Sequence, residues 1–240
     1  MGLRLDRGLV FMSDTRTNAG VDNISKYRKM FTWNRPGDRT IVMMTAGNLA
    51  TTQAVVSMLD ERTKAPEERK PSIYEVPSMF QAARLVGQTL REVIRESAPD
   101  TGPDAESAFK ATIILGGQIA GAEPRLFMIY PEGNFVEASN ETPFFQIGET
   151  KYGRPILIRA YEPDMTFEAA VKLMMVSFDS TIKANLSVGL PFDLILYEKD
   201  ALDITMQRRI EEDDPYFKLI SDNWGEALKF AFGSLPDYKL

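Results

Sequence analysis

Short apolar runs alternate with dense turn signals over the first 45 residues. Residues 3–5 and 9–12 flank the sequence DRG, whose glycine suits a tight turn. Residues 29–33 and 40–45 flank the sequence NRPGD, which is rich in turn-forming residues. The pattern predicts two successive β-hairpins.

The period of the apolar positions then changes to that of a helix. Residues 49–62 follow Asn48, which can cap a helix start, and residues 78–95 begin at a second capping residue, Ser78. Residues 97–108 are rich in Pro, Asp, Gly and Ser. We therefore predict two helices adjacent in sequence, followed by a loop.

The second half of the chain returns to strands and then to a helix. The β-rich runs are punctuated by Gly116-Gly117 and other turn residues, and they cover residues 109–115, 126–130, 134–138 and 144–147. A helical period covers residues 165–182 from a start at Thr166, and residues 192–197 form a last apolar β run. Residues 152–158 add either a helix or a strand.

The remaining C-terminal segment carries two further features. The acidic run 211–214 is predicted to be a solvated turn. Trp224, Phe230 and Phe232 lie past the last expected strand, as part of either the core or a subunit contact.

This order of elements points to one fold class. Strands, two helices, strands, helices and a strand are expected of two sheets packed face to face with a helical layer on each outer side, whereas a doubly wound sheet alternates strand and helix. We predict an α+β, four-layer αββα sandwich, with residues 1–240 as a single domain.

Composition and charge exclude several classes of partner. The 240 residues carry a net charge of −6 with a pI near 5.0, which favours neither nucleic acid nor an anionic membrane. The sequence has no apolar run of transmembrane length and no basic segment leading into an apolar one. We expect a cytoplasmic protein.

The residue types restrict the chemistry further. The chain contains no cysteine and no histidine, which excludes a Ser-His-Asp triad and cysteine metal sites. Hydrolysis would need a carboxylate, a lysine or a free α-amino group. We expect neither a cofactor nor a metal.

Several motifs together resemble one family. The segments GLRLDRGLVFMSDTRTNAG, KYRKMF and MMTAGNLAT resemble landmarks of proteasome β-type subunits, which are N-terminal-nucleophile hydrolases. The segments RGLVFMSDTRTNAGVDNISKYRKMF, QIGETKYGRPIL and NLSVGLPFDL are similar to the bacterial Anbu, or ancestral β-subunit, branch. The resemblance spans nearly the whole chain and implies the αββα fold.

The resemblance also implies a nucleophile, the hydroxyl of an N-terminal threonine whose own α-amino group is the base. That threonine is expected about four residues before Gly2, upstream of Met1, and Met1 stands where the family carries a valine. The chain that begins at Met1 is therefore expected to lack the nucleophile and to be inactive. A member that has abandoned catalysis is the alternative.

The family pattern places further site residues. Asp14 matches the aspartate that orients the catalytic lysine, and Lys29 matches that lysine, although the spacing is one residue short and Lys26 competes for the role. Without the resemblance, Asp14 and a nearby lysine would indicate only a strand-end ion pair. Arg16 is expected to tie the Asp14 turn to nearby carbonyl groups rather than to contact substrate.

Three residues beside the second hairpin match the substrate side of the family site. Gly47 resembles the glycine whose backbone N–H forms the oxyanion hole, and Thr45 and Leu49 would flank the adjacent substrate pocket. On sequence alone, Gly47 indicates only a strand-to-helix turn.

The late part of the family pattern is incomplete. Ser187 matches the family serine, but Ala184 or Asn185 occupies the place of its aspartate, and residues 147–150 lack the serine of a Gly-Ser-Gly-like turn. These departures put the supporting hydrogen-bond network in doubt.

The resemblance implies a subunit of a self-compartmentalising threonine-type peptidase or amidase, assembled with identical subunits into a ring or open ring. Its substrate would be a polypeptide or a small amide. Two alternatives remain: a non-catalytic oligomeric scaffold, and an N-terminal-nucleophile amidase acting on small amides.

Overall fold

In the computed structural model, residues 1–18, 24–64, 71–97 and 105–239 are described. The strands in this part of the chain are β1 Gly2–Leu5, β2 Gly8–Asp14, β3 Arg16–Asn18, β4 Ile24–Lys26, β5 Met30–Arg35, β6 Arg39–Gly47, β7 Ala111–Ile119, β8 Arg125–Ile129, β9 Phe135–Glu137, β10 Phe144–Phe145, β11 Phe192–Glu198 and β12 Met206–Ile210. The α-helices are α1 Leu49–Lys64, α2 Met79–Ser97, α3 Arg154–Ala160, α4 Phe167–Ile182 and α5 Pro215–Gly233.

Two antiparallel five-stranded sheets form the centre of the fold. One has the strand order β10-β1-β2-β11-β12, and the other has the order β5-β6-β7-β8-β9. Large apolar side chains from both sheets meet between them, among them Phe11 on β2 and Ile114 on β7. The long central strands β2, β6, β7 and β11 are mostly buried because both of their faces are covered.

The helices cover the outer faces of the two sheets. Helices α1 and α2 pack on the second sheet around a core that includes Leu59 and Val86. Helices α3 and α4 pack on the first sheet, and Phe217 of α5 joins this core. The four layers confirm the predicted αββα sandwich. Among the described residues, no helix is both long and apolar enough to span a lipid bilayer.

The observed bounds of the hairpins and helices are close to the predicted ones. Asn48 and Ser78 cap α1 and α2 by accepting hydrogen bonds from Thr51 N at 2.9 Å and Gln81 N at 3.2 Å, respectively. Thr166 caps α4 in the same way, from Ala169 N. Residues 152–158 contribute to a helix, α3, rather than to a strand.

Two predictions in the middle of the chain were wrong. Residues 105–109 form a 3₁₀ helix, so the end of the predicted loop 97–108 is helical and the strand predicted from Phe109 begins only at Ala111. Residues 98–104 of that loop lie outside the described residues. Gly116 and Gly117 lie inside β7 instead of ending it. A Cβ atom at Gly116 would lie 2.8 Å from Cζ of Phe11, so the glycine provides room for a ring from the opposite sheet.

The C-terminal quarter contains elements that the pattern missed. The acidic run 211–214 is not a fully solvated turn, because Asp214 is buried. Its carboxylate accepts from Phe217 N at 2.9 Å as the N-cap of α5, and from Arg208 Nη2 of β12 at 2.7 Å. The edge strand β12 was also missed, since few apolar residues mark it. Near the start of the chain, the short pair β3 and β4 was missed for the same reason.

Candidate active site

The centre of the site is an ion pair between the end of β2 and the residue just before β5. Lys29 Nζ lies 2.8 Å from Asp14 Oδ1 and also donates to Arg16 O. The two side chains are only 21% and 12% exposed. Thr45 N of β6 donates to Lys29 O at 2.9 Å, which fixes the lysine backbone beside the second sheet.

The competing lysine lies elsewhere. Lys26 Nζ is 2.8 Å from Glu212 Oε1, and both of these side chains are more than half exposed. Lys26 therefore forms a surface ion pair, whereas Lys29 faces Asp14. The resemblance favoured Lys29, but the apolar pattern alone could not separate the two lysines, because β3 and β4, which lie between Asp14 and Lys29, carry no clear signal.

A cleft of about 250 Å³ lies against this ion pair, between the ends of the two sheets. Its walls come from the ends of β2 and β6, the start of α1, and the segments that follow β10 and α4. It brings together all of the predicted site residues, namely Asp14, Arg16, Lys29, Thr45, Gly47, Leu49 and Ser187.

Gly47 forms the wall where β6 ends and α1 is about to start. Its φ of +112° favours glycine, and a Cβ atom there would lie 2.5 Å from Lys110 O. Leu49 opens α1 immediately afterwards, so the positive end of the helix dipole borders the cleft. A developing negative charge would be stabilised at this wall.

Ser187 belongs to a hydrogen-bonded chain on the opposite wall. Its hydroxyl donates to Asn185 Oδ1 at 2.6 Å, and its backbone N–H donates to the same oxygen at 2.9 Å. Asn185 Nδ2 donates to Glu149 Oε2 at 2.9 Å, which fixes the orientation of the amide. Hydrogen bonds from Lys151 N and from Asn185 hold the pKa of Glu149 below its usual range.

Arg16 braces the same wall. Its Nη1 donates to Leu186 O at 3.1 Å, and a Cβ atom on Gly189 would lie 2.6 Å from its Cζ. The guanidinium thus ties the strand after Asp14 to the α4–β11 connection. Arg16 thus contacts the carbonyl group of Leu186, as the sequence predicted.

The chain start reaches the floor of the cleft. Met1 N donates to Met12 O at 2.7 Å, and Met12 N donates to Met1 O at 3.0 Å, so Met1 continues the antiparallel ladder of β1 and β2. Burial lowers the pKa of the Met1 α-amino group to about 5, against the charge of Asp14, which raises that pKa.

Three buried polar atoms in the cleft have no hydrogen-bond partner within the described part of the chain: Ser13 Oγ, Asp14 Oδ2 and Gln146 Oε1. Buried polar atoms are nearly always paired, so these three atoms are available to hydrogen-bond water, a polar ligand or a chain segment in the cleft. The sequence did not predict a role for Ser13 or Gln146. In each case the only signal is a polar residue at the end of an apolar run. Over the same residues, no cluster of three Asp or Glu side chains could hold a metal ion.

Known proteins are similar to this chain in both fold and sequence. The proteasome subunit family model matches residues 1–189. The chain belongs to the proteasome subunit family. Proteasome subunit beta of Haloquadratum walsbyi is 24% identical over 213 residues, which cover 88% of this chain and 78% of that protein.

Solved structures narrow the family to its Anbu branch. Anbu from Hyphomicrobium sp. strain MC1 has a TM-score of 0.91 and 48% identity, covering 100% of this chain and 98% of that one. Anbu from Yersinia bercovieri gives the same four values. A helical assembly of the Anbu complex from Pseudomonas aeruginosa has a TM-score of 0.90 and 44% identity, covering 99% and 97%. The resemblance to the Anbu branch is thereby confirmed.

One departure from the proteasome pattern, the missing aspartate, lies next to Ser187. Asn185 accepts two hydrogen bonds from Ser187 and donates one to Glu149. Sequence reasoning gave neither Asn185 nor Glu149 a role because the aspartate expected in this region is missing.

Proposed function

We propose that this chain is a subunit of a threonine-type peptidase or amidase, and that its cleft hydrolyses amide bonds through an acyl-enzyme. The observation that carries the proposal is the mostly buried Lys29–Asp14 pair, which lines the same cleft as Gly47. An ammonium held by a carboxylate in a poorly solvated cleft lowers the energy of an alkoxide formed beside it.

The proposed nucleophile is a threonine hydroxyl about four residues before Gly2. The paired Met1–Met12 ladder supports this position, because β2 continues past Met12 to Asp14. Residues joined to Met1 in the same register would follow Ser13 and Asp14 towards Lys29. The Met1 nitrogen would then be a peptide nitrogen and would keep its bond to Met12 O.

The proposed reaction uses the threonine α-amino group as the base. The hydroxyl oxygen attacks the amide carbon as its proton passes to the amine, and the Gly47 N–H and the α1 dipole stabilise the resulting oxyanion. The amine returns the proton to the leaving nitrogen as the C–N bond breaks, which leaves an ester. Water then attacks the ester, releases the acid and restores the hydroxyl.

The remaining residues receive positioning and binding roles in this proposal. Thr45 and Leu49 border the cleft on the Gly47 side and would contact the substrate residue next to the cleaved bond. Ser187 directs its hydrogen towards Asn185, so its oxygen lone pairs are available to the amine. Arg16 holds the wall that carries Ser187.

We also propose that the chain assembles with identical subunits. The support is the helical assembly of the Anbu complex from Pseudomonas aeruginosa, a protein 44% identical to this chain over nearly its whole length. Polypeptide is the proposed substrate class, and small amides are the alternative to be tested.

The test begins with the intact mass and N-terminal sequence of the protein purified from its native source. The form with an N-terminal threonine is then assayed on fluorogenic peptides and small amides. Lys29→Ala is expected to lower kcat/KM by about 100-fold to 1,000-fold. Lys26→Ala, the matched control at a surface ion pair, should leave the rate unchanged.

The alternatives predict other results. Activity on small amides alone would replace the peptidase with an amidase. No hydrolysis of any substrate by a folded, assembled protein with an N-terminal threonine would refute the catalytic proposal and leave a scaffold.

A further inference from the structure

Glu149 brings a carboxylate to the cleft, and no lysine or arginine of the described chain forms an ion pair with it. Its two oxygens accept hydrogen bonds from Lys151 N and from Asn185 Nδ2, both at 2.9 Å. These bonds hold the carboxylate in one orientation and keep its pKa below the usual range. Glu149 is therefore charged at neutral pH.

The two cations that line the same cleft are directed elsewhere. Lys29 pairs with Asp14. Arg16 donates to Leu186 O, and its guanidinium lies against Gly189. The carboxylate of Glu149 is thus left to a ligand.

The free hydrogen-bonding groups next to Glu149 are acceptors. Gln146 is only 8% exposed, and its Nε2 donates to Glu149 O at 3.3 Å. Its Oε1 is buried and has no donor within the described residues. Ser187 gives its hydrogen to Asn185, so the Ser187 oxygen can also accept. A ligand at this wall must therefore supply hydrogen-bond donors.

A primary ammonium group meets these requirements. It carries three N–H donors, no acceptor and a positive charge. Its hydrogen bond to a carboxylate is charge-assisted and about twice as strong as a neutral one. An anionic group at the same place would meet the like charge of Glu149.

The proposed reaction indicates which half of the substrate carries the ammonium. The amine beside Ser187 returns a proton to the leaving nitrogen, so the leaving half lies along this wall, whereas Thr45 and Leu49 contact the other half. Ser187 Oγ and Glu149 Oε2 are separated by hydrogen bonds of 2.6 Å and 2.9 Å and the width of one amide group. A flexible four-carbon stem, such as that of lysine, spans this gap.

We propose that Glu149 and Gln146 form a subsite for an ammonium group that the leaving amine of the substrate carries. The substrate is then an amide with a cationic leaving half, either a polypeptide with lysine after the cleaved bond or an acylated diamine. Glu149 binds this group and takes no part in breaking the bond. The inference rests on the proposed function and specifies the substrate of the same cleft.

The first test compares leaving groups on one acyl group, with the full chain that has an N-terminal threonine. Peptides with lysine, norleucine or glutamate directly after the cleaved bond are assayed separately for kcat/KM. Norleucine has the stem of lysine without its charge. The wild type should prefer lysine to norleucine by about 10-fold to 100-fold, and glutamate should be the slowest.

Variants of Glu149 test the origin of this preference. Glu149→Gln removes the charge and should bring the lysine-to-norleucine ratio close to unity. Because Glu149 also orients Asn185, the variant should lower the rate on every substrate, but a common loss divides out of the ratio. Glu149→Asp keeps the charge and should keep a preference for lysine. Glu132→Gln, at an exposed glutamate outside the cleft, is the matched control and should keep the wild-type ratio.

A second substrate series identifies the source of the ammonium. The same acyl group is joined to 1,4-diaminobutane or to butylamine, which lacks the second amine. A preference for the charged member in this series alone would identify an acylated diamine as the substrate, and a preference in the peptide series alone would identify a polypeptide. Either result supports the subsite.

Other outcomes separate this inference from the proposed function. Equal kcat/KM values for the charged and uncharged leaving groups, or a preference that survives Glu149→Gln, would overturn the subsite and leave amide hydrolysis standing. A folded chain with an N-terminal threonine that cleaves no substrate of either series or of the wider panel would overturn both.

Discussion

Asn185 Nδ2 donates to Glu149 Oε2 across 2.9 Å, joining two residues that lie 36 positions apart in the sequence. The same amide accepts both hydrogen bonds from Ser187, so its oxygen and nitrogen cannot exchange places without losing all three bonds. Glu149 thereby fixes the direction of the Ser187 hydroxyl in the cleft.

This relationship predicts a charge conflict and its rescue. Asn185→Asp places a carboxylate against Glu149, so the denaturation midpoint should fall. Glu149→Gln/Asn185→Asp should recover most of the loss, because the new amide can donate to the new carboxylate. Urea denaturation of the wild type and the three variants measures the coupling, and additive effects would contradict it.

The buried phenol of Tyr197 predicts a change in alkaline stability. Its hydroxyl donates to Gln118 Oε1 at 2.6 Å and accepts from Leu202 N, and burial raises its pKa to about 12. Because the folded-state pKa lies above the ordinary value of 10.0, the contribution is complete below pH 10 and is lost as the pH rises towards 12.

Tyr197→Phe should therefore lower the free energy of unfolding by about 1–2 kcal/mol at pH 8, and the difference should shrink above pH 10. Denaturant titrations between pH 8 and 12 measure it. Tyr152→Phe, at an exposed tyrosine, is the control. A wild-type and Tyr197→Phe difference that is constant across this range would contradict the prediction.

The contact between Gly116 and Phe11 predicts that the sheets cannot accept a methyl group. In Gly116→Ala, the Cβ atom would approach both Phe11 and Leu126 to 2.8 Å, which should cost about 1–3 kcal/mol of stability. Gly225→Ala is the control in α5, where a Cβ atom meets nothing within 4 Å and a helical alanine should gain up to about 1 kcal/mol. Thermal unfolding that ranks the two variants in the opposite order would show that the sheets relax.

The Asp214 cap predicts that α5 depends on one buried carboxylate. Asp214→Ala removes the bonds from Phe217 N and Arg208, and should lower the free energy of unfolding by about 1–2 kcal/mol. Asp213→Ala, one residue earlier and exposed, should change it by less than about 0.5 kcal/mol. Urea denaturation followed by circular dichroism compares the two, and equal effects would mean that Asp214 does not determine the start of α5.

The sequence by itself determined the hairpins, helices α1, α2 and α4, and their order, because each rests on a local period of apolar residues or on a local cap. It therefore determined the αββα class, and the apolar run 9–12 placed Asp14 just after a buried strand. These features depend on neighbours a few residues apart, which a single sequence displays.

Only the tertiary structure decided which groups meet in the cleft. Lys29 rather than Lys26 faces Asp14 because the sheet register and the β3–β4 pair direct the two side chains apart. Asn185 meets Glu149 only after α4 and the segment after β10 pack together. Such pairings depend on the relative placement of distant elements, and no local period records that placement.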